Sequence, residues 1–164
     1  MTTAEYLALD KEKDKARICQ YNRELVEKYP FLLPRDKEGS LPLCYDWSWT
    51  IMDLMPPGWA IAFGDEILED LREALDRSGL LLQYRVLEIK DKFGELRWYD
   101  NGATDEVSGI LTDYSRRSGR ICVKCGKLAV LALNELCTPF CDACAMKSGH
   151  KYPEAFETLP EKDS

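Results

Sequence analysis

The sequence predicts an α+β protein with helices in its N-terminal part, a β-hairpin in its middle and a four-cysteine module near its C-terminal end. Apolar residues in positions 59–78 recur at helical spacing. Residues 81–90 alternate over several positions, and residues 95–99 follow a turn as the returning strand. Two Cys-x-x-Cys pairs come after residue 120. These patterns divide the chain into an α+β domain (1–118), a cysteine module (119–150) and a polar tail (151–164).

The N-terminal helices are marked by caps and stops. Thr2 or Thr3 can cap a first helical stretch, because a threonine hydroxyl accepts a hydrogen bond from the N–H groups at a helix start. Residues 10–28 place apolar side chains on one helical stripe, and Pro30 ends that helix.

Three of the four tryptophans lie in residues 45–59. In an extended segment Trp47 and Trp49 point to the same side. They then form either a buried aromatic wall, which we favour, or exposed anchors for a partner.

The strongest helical pattern is in residues 59–78, which Gly79 ends. Residues 61–80 carry six acidic side chains against two basic ones. The acidic side chains form either a solvated face or a surface that docks on a basic partner. The five residues of this acidic row are Glu66, Glu69, Asp70, Glu73 and Asp76.

The hairpin is predicted to turn at residues 91–94, and a short helix follows in residues 104–116. Glu88 and Lys90 lie on one strand face, and with Asp76 they match the Asp…Glu-x-Lys pattern of magnesium-dependent nucleases. A cross-strand charge pair in the hairpin is the more common meaning of Glu-x-Lys, so a nuclease is the weakest alternative.

The cysteine pairs have the spacing of a structural zinc site. Fifteen residues separate the Cys122–Cys125 pair from the Cys141–Cys144 pair. Each Cys-x-x-Cys turn brings two sulfurs to one side of a loop, and two such loops complete a tetrahedron with Zn–S distances of about 2.3 Å. We expect one structural Zn²⁺ per chain, in a module of zinc-ribbon or treble-clef type.

Other cysteines and the histidine leave alternatives open. Cys137 or His150 can replace one of the four ligands, although neither repeats the spacing of the first pair. Cys19 and Cys44 are predicted to be small buried hydrophobic residues. A shell of four thiolates leaves no position for water, so the zinc is predicted to be structural and the chain to have no catalytic residues.

The charge of the chain excludes some functions. The net charge is −7, and four thiolates around one Zn²⁺ bring it to about −9. A protein that coats DNA needs clustered Lys and Arg, so we expect no direct nucleic-acid binding and a basic protein partner instead. No apolar run approaches the ~20 residues of a membrane span and no secretory signal precedes the first helix, which predicts a cytoplasmic protein.

Several motifs give the chain a resemblance to a family of small proteins encoded by prophages of Firmicutes. The resemblance covers residues 20–146 and includes the cysteine pairs. Its other motifs are YPFLLPR (29–35), YDWS (45–48), MPPGW (55–59) and IKDKFGELRWY (89–99).

The chain is also similar to a zinc-containing phage inhibitor of the anti-CRISPR type. That resemblance implies a protein that binds a type II CRISPR effector nuclease in the bacterial host cytoplasm and blocks DNA loading or cleavage. The alternative is a zinc-ribbon accessory or regulatory protein in host transcription or phage DNA metabolism.

Overall fold

The first helix begins at the predicted cap, and the second begins later than residue 10 but ends before Pro30 as predicted. In the computed structural model, which describes residues 1–161, α1 (Thr3–Leu7) starts with a capping box. The Thr2 hydroxyl accepts from the Glu5 N–H at 3.1 Å, and the Glu5 carboxylate accepts from the Thr2 N–H at 2.8 Å. Helix α2 (Lys15–Lys28) is followed by a 3₁₀ turn (Pro30–Leu32), and a second 3₁₀ turn covers Ile51–Leu54.

A continuous helix of three parts forms the centre of the protein. α3 (Pro57–Trp59) passes through a π-helical stretch (Ala60–Gly64) into α4 (Asp65–Ser78). Gly79 then ends the helix with a φ of 73°, which glycine adopts without strain. The predicted apolar stripe is confirmed as buried at Phe63, Ile67, Leu71 and Leu75.

The predicted hairpin is present, and it packs beside a fifth helix. β1 (Val86–Lys92) pairs antiparallel with β2 (Glu95–Asp100), with Lys92 opposite Glu95 at the tip. The strand begins later than the alternation from residue 81 suggests. α5 (Asp105–Ser118) starts at the N-cap Thr104, whose hydroxyl accepts from the Val107 N–H, and it contacts both α4 and β2.

A second, smaller sheet lies near the C-terminus. Its order is β4 (Pro139–Phe140), β3 (Leu131–Leu133), β5 (Phe156–Thr158), and α6 (Asp142–Met146) follows β4.

Part of the predicted polar tail forms regular structure. The Ala155 N–H donates to the Lys151 carbonyl in a turn. Phe156–Thr158 then pairs along the whole length of β3. Residues 162–164 of the predicted tail lie outside the described residues.

One hydrophobic core runs across the whole described chain. Trp59 and Phe63 belong to the same buried cluster as Cys122, Phe140 and Phe156. The boundary between the α+β domain and the cysteine module after residue 118 therefore stays a prediction. The apolar packing continues across that boundary. Within residues 1–161, no helix has both the length and the apolar composition needed to cross a membrane.

The tryptophan segment is mixed in burial. Trp59 is fully buried, whereas Trp47 is half-buried, with the Arg23 guanidinium 5.0 Å from its ring centroid. Cys19 is half-buried and its thiol donates to the Asp46 carbonyl. Cys44 is exposed, so the prediction of a buried residue there is wrong, because residues 41–48 form an irregular surface loop.

Candidate metal centre

The four predicted ligands come together in space. The Sγ atoms of Cys122, Cys125, Cys141 and Cys144 all lie within 4.8 Å of one another. The Cys125 and Cys141 sulfurs are 3.6 Å apart. A tetrahedron with metal–sulfur distances of about 2.3 Å has sulfur–sulfur edges of about 3.8 Å. The four cysteines can therefore hold one metal ion.

The first pair lies in a tight hairpin turn that we call the knuckle (residues 121–128). The Cys122 N–H donates to the Lys127 carbonyl at 2.8 Å, and the Gly126 N–H donates to the Cys122 carbonyl at 3.0 Å. Gly126 has a φ of 82°, which explains the glycine directly after the pair. This turn points both sulfurs of the pair towards the second pair.

The second pair lies at the start of α6. Cys141 is the N-cap residue of that helix, and its Sγ accepts from the Cys144 N–H at 3.4 Å. The strand before it is joined to the knuckle, because the Val123 N–H donates to the Pro139 carbonyl at 3.1 Å. A strand and a helix cap thus fix the second pair against the first.

The electrostatics of the cluster favour a cation. Burial raises the pKa of the Cys122 thiol, but N–H groups of Cys141, Cys125 and Lys124 outweigh it and bring the pKa to about 7. Burial raises the pKa of Cys125 and Cys144, and neighbouring thiols raise both further. Four sulfurs this close ionise together only when a positive ion offsets their mutual repulsion.

The knuckle packs directly on the first turn of the central helix. The Gly58 N–H donates to the Val123 carbonyl at 2.7 Å, and Trp59 Nε1 donates to the Ile121 carbonyl at 2.9 Å. A Cβ atom at position 58 would lie 2.0 Å from the Cys122 carbonyl oxygen and 2.8 Å from the Gly126 nitrogen. Only glycine fits there, so this knuckle contact is made by two backbones.

The hairpin tip holds the module at a second point. The Thr138 hydroxyl donates to Asp91 Oδ2 at 2.9 Å, and the Gly94 N–H donates to Asp91 Oδ1 at 2.9 Å. A Cβ atom at Gly94 would lie 2.2 Å from the Cys137 carbonyl oxygen. Cys137 therefore meets the hairpin through its backbone, and its exposed thiol is outside the four-sulfur group. Exposed His150 is also outside that group.

Sequence reasoning found the four ligands but missed the residues that hold them. Gly58 and Trp59 belong to the MPPGW motif, and Asp91 and Gly94 belong to the hairpin motif. Both motifs were visible as distinctive stretches without assigned chemistry. The structure gives each of them a contact with the metal module.

Three carboxylates of the acidic row have partners within the chain. Arg117 donates to both oxygens of Glu66 at 3.2 and 3.1 Å. The Tyr114 hydroxyl donates to Asp70 at 2.5 Å. The third is Glu69, which accepts from the Tyr29 hydroxyl and pairs with Lys28 and Arg72. Glu73 and Asp76 are exposed. These contacts offset the repulsion along α4, and docking of the row on a partner stays a prediction.

The residues of the nuclease pattern are exposed. Lys90 Nζ lies 3.6 Å from Glu88 Oε1, and both side chains are about half exposed. Asp76 is exposed near the end of α4. Glu88 and Lys90 pair along β1 itself, and the residues opposite them on β2 are Tyr99 and Arg97, so the prediction of a cross-strand charge pair is wrong.

Comparison of the chain with protein families, with curated proteins and with solved structures found no match.

Proposed function

We propose that this protein binds one zinc ion as a structural cofactor and acts as a binding protein without catalytic activity. The four-sulfur group carries the proposal, since its sulfurs lie within 4.8 Å of one another and are close enough to surround one ion. Thiolates in that geometry select zinc over harder cations. A knuckle, a short hairpin and a second pair at a helix start form an arrangement of zinc-ribbon or treble-clef type.

Closed coordination supports a structural role for the metal. A catalytic zinc keeps one position open for water or substrate, and four cysteine ligands fill all four positions. The knuckle is also packed by backbone contact on Gly58, and Cys122 is fully buried. In this proposal the zinc holds residues 119–161 on the central helix.

The binding partner we propose is a basic surface of a bacterial defence nuclease. The resemblance to phage-encoded inhibitors motivates a type II CRISPR effector, and the protein then acts in the host cytoplasm. A charge of −7 favours association with a surface that normally binds nucleic acid. Occupying that surface would block DNA loading or cleavage.

The test is binding of the zinc-loaded protein to a purified effector nuclease with its guide RNA. Biolayer interferometry gives the association rate at about 0.05 M and about 0.5 M NaCl, and a DNA cleavage assay gives the inhibition. We expect inhibition, with association that slows as salt rises. Absence of binding would refute the nuclease partner, and magnesium-dependent DNA cleavage by this protein alone would refute the non-catalytic assignment.

A matched pair of variants locates the contact. Glu73→Lys with Asp76→Lys reverses two exposed charges on α4, and Glu154→Lys with Glu157→Lys makes the same change in net charge near β5. If the acidic row docks, only the first pair slows association strongly. Equal slowing by both pairs would mean that net charge matters and the row does not.

A further inference from the structure

An open groove lies between α2 and the start of α4. Its volume is about 960 Å³, which is within the range of ligand sites and large enough for several side chains of a peptide. Tyr21, Leu25 and Tyr29 supply its apolar lining. Tyr21 is held in place by stacking on Tyr6, with ring centroids 4.3 Å apart.

Carboxylates line this groove beside the aromatic rings. They belong to Glu24, Asp65 and Glu69. Among residues 1–161, Glu24 accepts from the neutral Gln20 amide at 2.8 Å, and Asp65 accepts from the Thr3 hydroxyl at 3.2 Å. Neither Glu24 nor Asp65 takes part in any ion pair formed within residues 1–161.

The two basic side chains that line the groove already have carboxylate partners. Arg17 lies 3.7 Å from Asp14, which is outside the lining. Lys28 lies 3.8 Å from Glu69 and 5.3 Å from the centroid of the Tyr29 ring. This contact shows the chemistry of the groove, because a cation there meets an aromatic face and a carboxylate at once.

We propose that the groove receives arginine side chains from a basic segment of a partner protein. A guanidinium stacks on an aromatic ring and binds a carboxylate through two parallel N–H groups, which a lysine ammonium cannot do. Tyr21, Glu24 and Asp65 line the same groove, so an aromatic ring and two carboxylates are present there together. The inference rests on the proposed function for its basic partner and adds the site that the partner's side chains enter.

The test uses a capped peptide of alternating arginine and leucine as the probe. Its binding to the ¹⁵N-labelled, zinc-loaded protein is followed by NMR. We expect the largest shifts at residues 17–29 and 65–69. A peptide with citrulline in place of arginine should bind at least about tenfold more weakly, and a lysine peptide should fall between them. Equal binding of the citrulline peptide, or no binding of the arginine peptide, would overturn the proposal.

Two variants with the same charge change separate the groove from the rest of α4. Glu24→Gln with Asp65→Asn should weaken peptide binding about tenfold, whereas Glu73→Gln with Asp76→Asn should change it less than about twofold. Equal weakening would show non-specific attraction and overturn the site. If the protein with both Glu24→Gln and Asp65→Asn does not fold, Glu24→Gln alone is tested in its place, because Glu24 is exposed.

The peptide result and the nuclease result are independent. Groove binding of the peptide without binding of the effector nuclease would refute the proposed partner and keep the groove. Nuclease binding that is unchanged by Glu24→Gln with Asp65→Asn would refute the groove and keep the proposed function.

Discussion

The first turn and the outer face of the central helix are built by different means. At α3, Gly58 meets the knuckle through its backbone, and an added methyl group would be 2.0 Å from an oxygen atom. On α4, the acidic row meets its neighbours through long side chains such as those of Glu66 and Arg117. The first contact is rigid and buried, and the second is flexible and mostly exposed.

This difference shows that the backbone contact at α3 determines how the protein folds, whereas the side-chain contacts of α4 mainly determine the charge of its surface. A backbone contact fixes the position of the metal module to within a fraction of an ångström, and no rotamer change can absorb an extra atom there. Exposed ion pairs tolerate change, since they contribute only about 0–1 kcal/mol each. We therefore expect stability to depend on α3 and the cysteines, and recognition to depend on α4 and α2.

Removal of the metal ligands should have the largest effect. Cys122→Ser and Cys141→Ser should each lose the zinc and destabilise the protein by several kcal/mol, because metal binding is linked to folding. Cys137→Ser should keep one zinc per chain, since that thiol is exposed and outside the cluster. Elemental analysis measures the zinc content, and denaturant unfolding measures the stability. Full zinc content in Cys122→Ser would contradict the site.

Gly58→Ala should have the second-largest effect on stability. The methyl group cannot fit against the Cys122 carbonyl, so we expect a loss of about 3 kcal/mol in the free energy of unfolding and weaker zinc retention. Gly109→Ala is the matched control, because a Cβ there meets nothing within 4 Å and alanine favours its helix by about 1 kcal/mol. Similar stability of the two variants would show that the knuckle contact is not rigid.

Alkaline pH should destabilise the protein through buried Tyr84 and half-buried Tyr45. Burial raises the pKa of Tyr84, and its hydrogen bond to Asp100 raises it further. Burial and the charge of Asp53 raise the pKa of Tyr45 to about 12. An unfolded tyrosine ionises near pH 10, so the stability from these groups is complete below about pH 10 and falls as pH rises above it.

Unfolding at about pH 9 and about pH 11 measures this loss. Tyr84 alone accounts for about 1.4 kcal/mol of it at pH 11. Tyr84→Phe should therefore show a shallower loss between the two values. An identical slope in the variant would contradict the role of Tyr84.

The smallest expected effects are on the acidic row. Asp70→Asn should cost about 1 kcal/mol, because the Tyr114 hydroxyl loses a charged acceptor. Glu73→Gln removes the same charge from an exposed position and should change stability by less than about 0.5 kcal/mol. Thermal melts of the two variants compare them. Equal losses of stability in the two variants would mean that the whole acidic row stabilises the fold. That result would contradict the difference proposed here between α3 and α4.

Local patterns predicted the parts of the protein that depend on short stretches of chain. The cysteine pairs, the helix that follows residue 104 and the apolar stripe of α4 are all set by residues within a few positions of one another. The candidate metal site was predictable for that reason, because each Cys-x-x-Cys pair forms within one turn of chain.

Long-range contacts are what the sequence left open. Gly58 is required by a carbonyl that lies more than sixty positions away, and nothing near it in the chain shows this. Glu66 and Asp70 read as unpaired charges until α5 brings Arg117 and Tyr114 beside them. The strand at residues 156–158 is too short for an alternating pattern, and its pairing with β3 is a contact between distant parts of the chain.

The position of β3 has a consequence for handling the protein. β3 lies between β4 and β5, so both of its edges are paired. Proteolytic trimming after Ala155 would leave the Leu131–Leu133 strand with an open, apolar edge beside an intact cysteine cluster. Open edges of this kind recruit strands from other molecules. A trimmed preparation would therefore keep its metal and still aggregate, so metal content alone is a poor measure of sample quality.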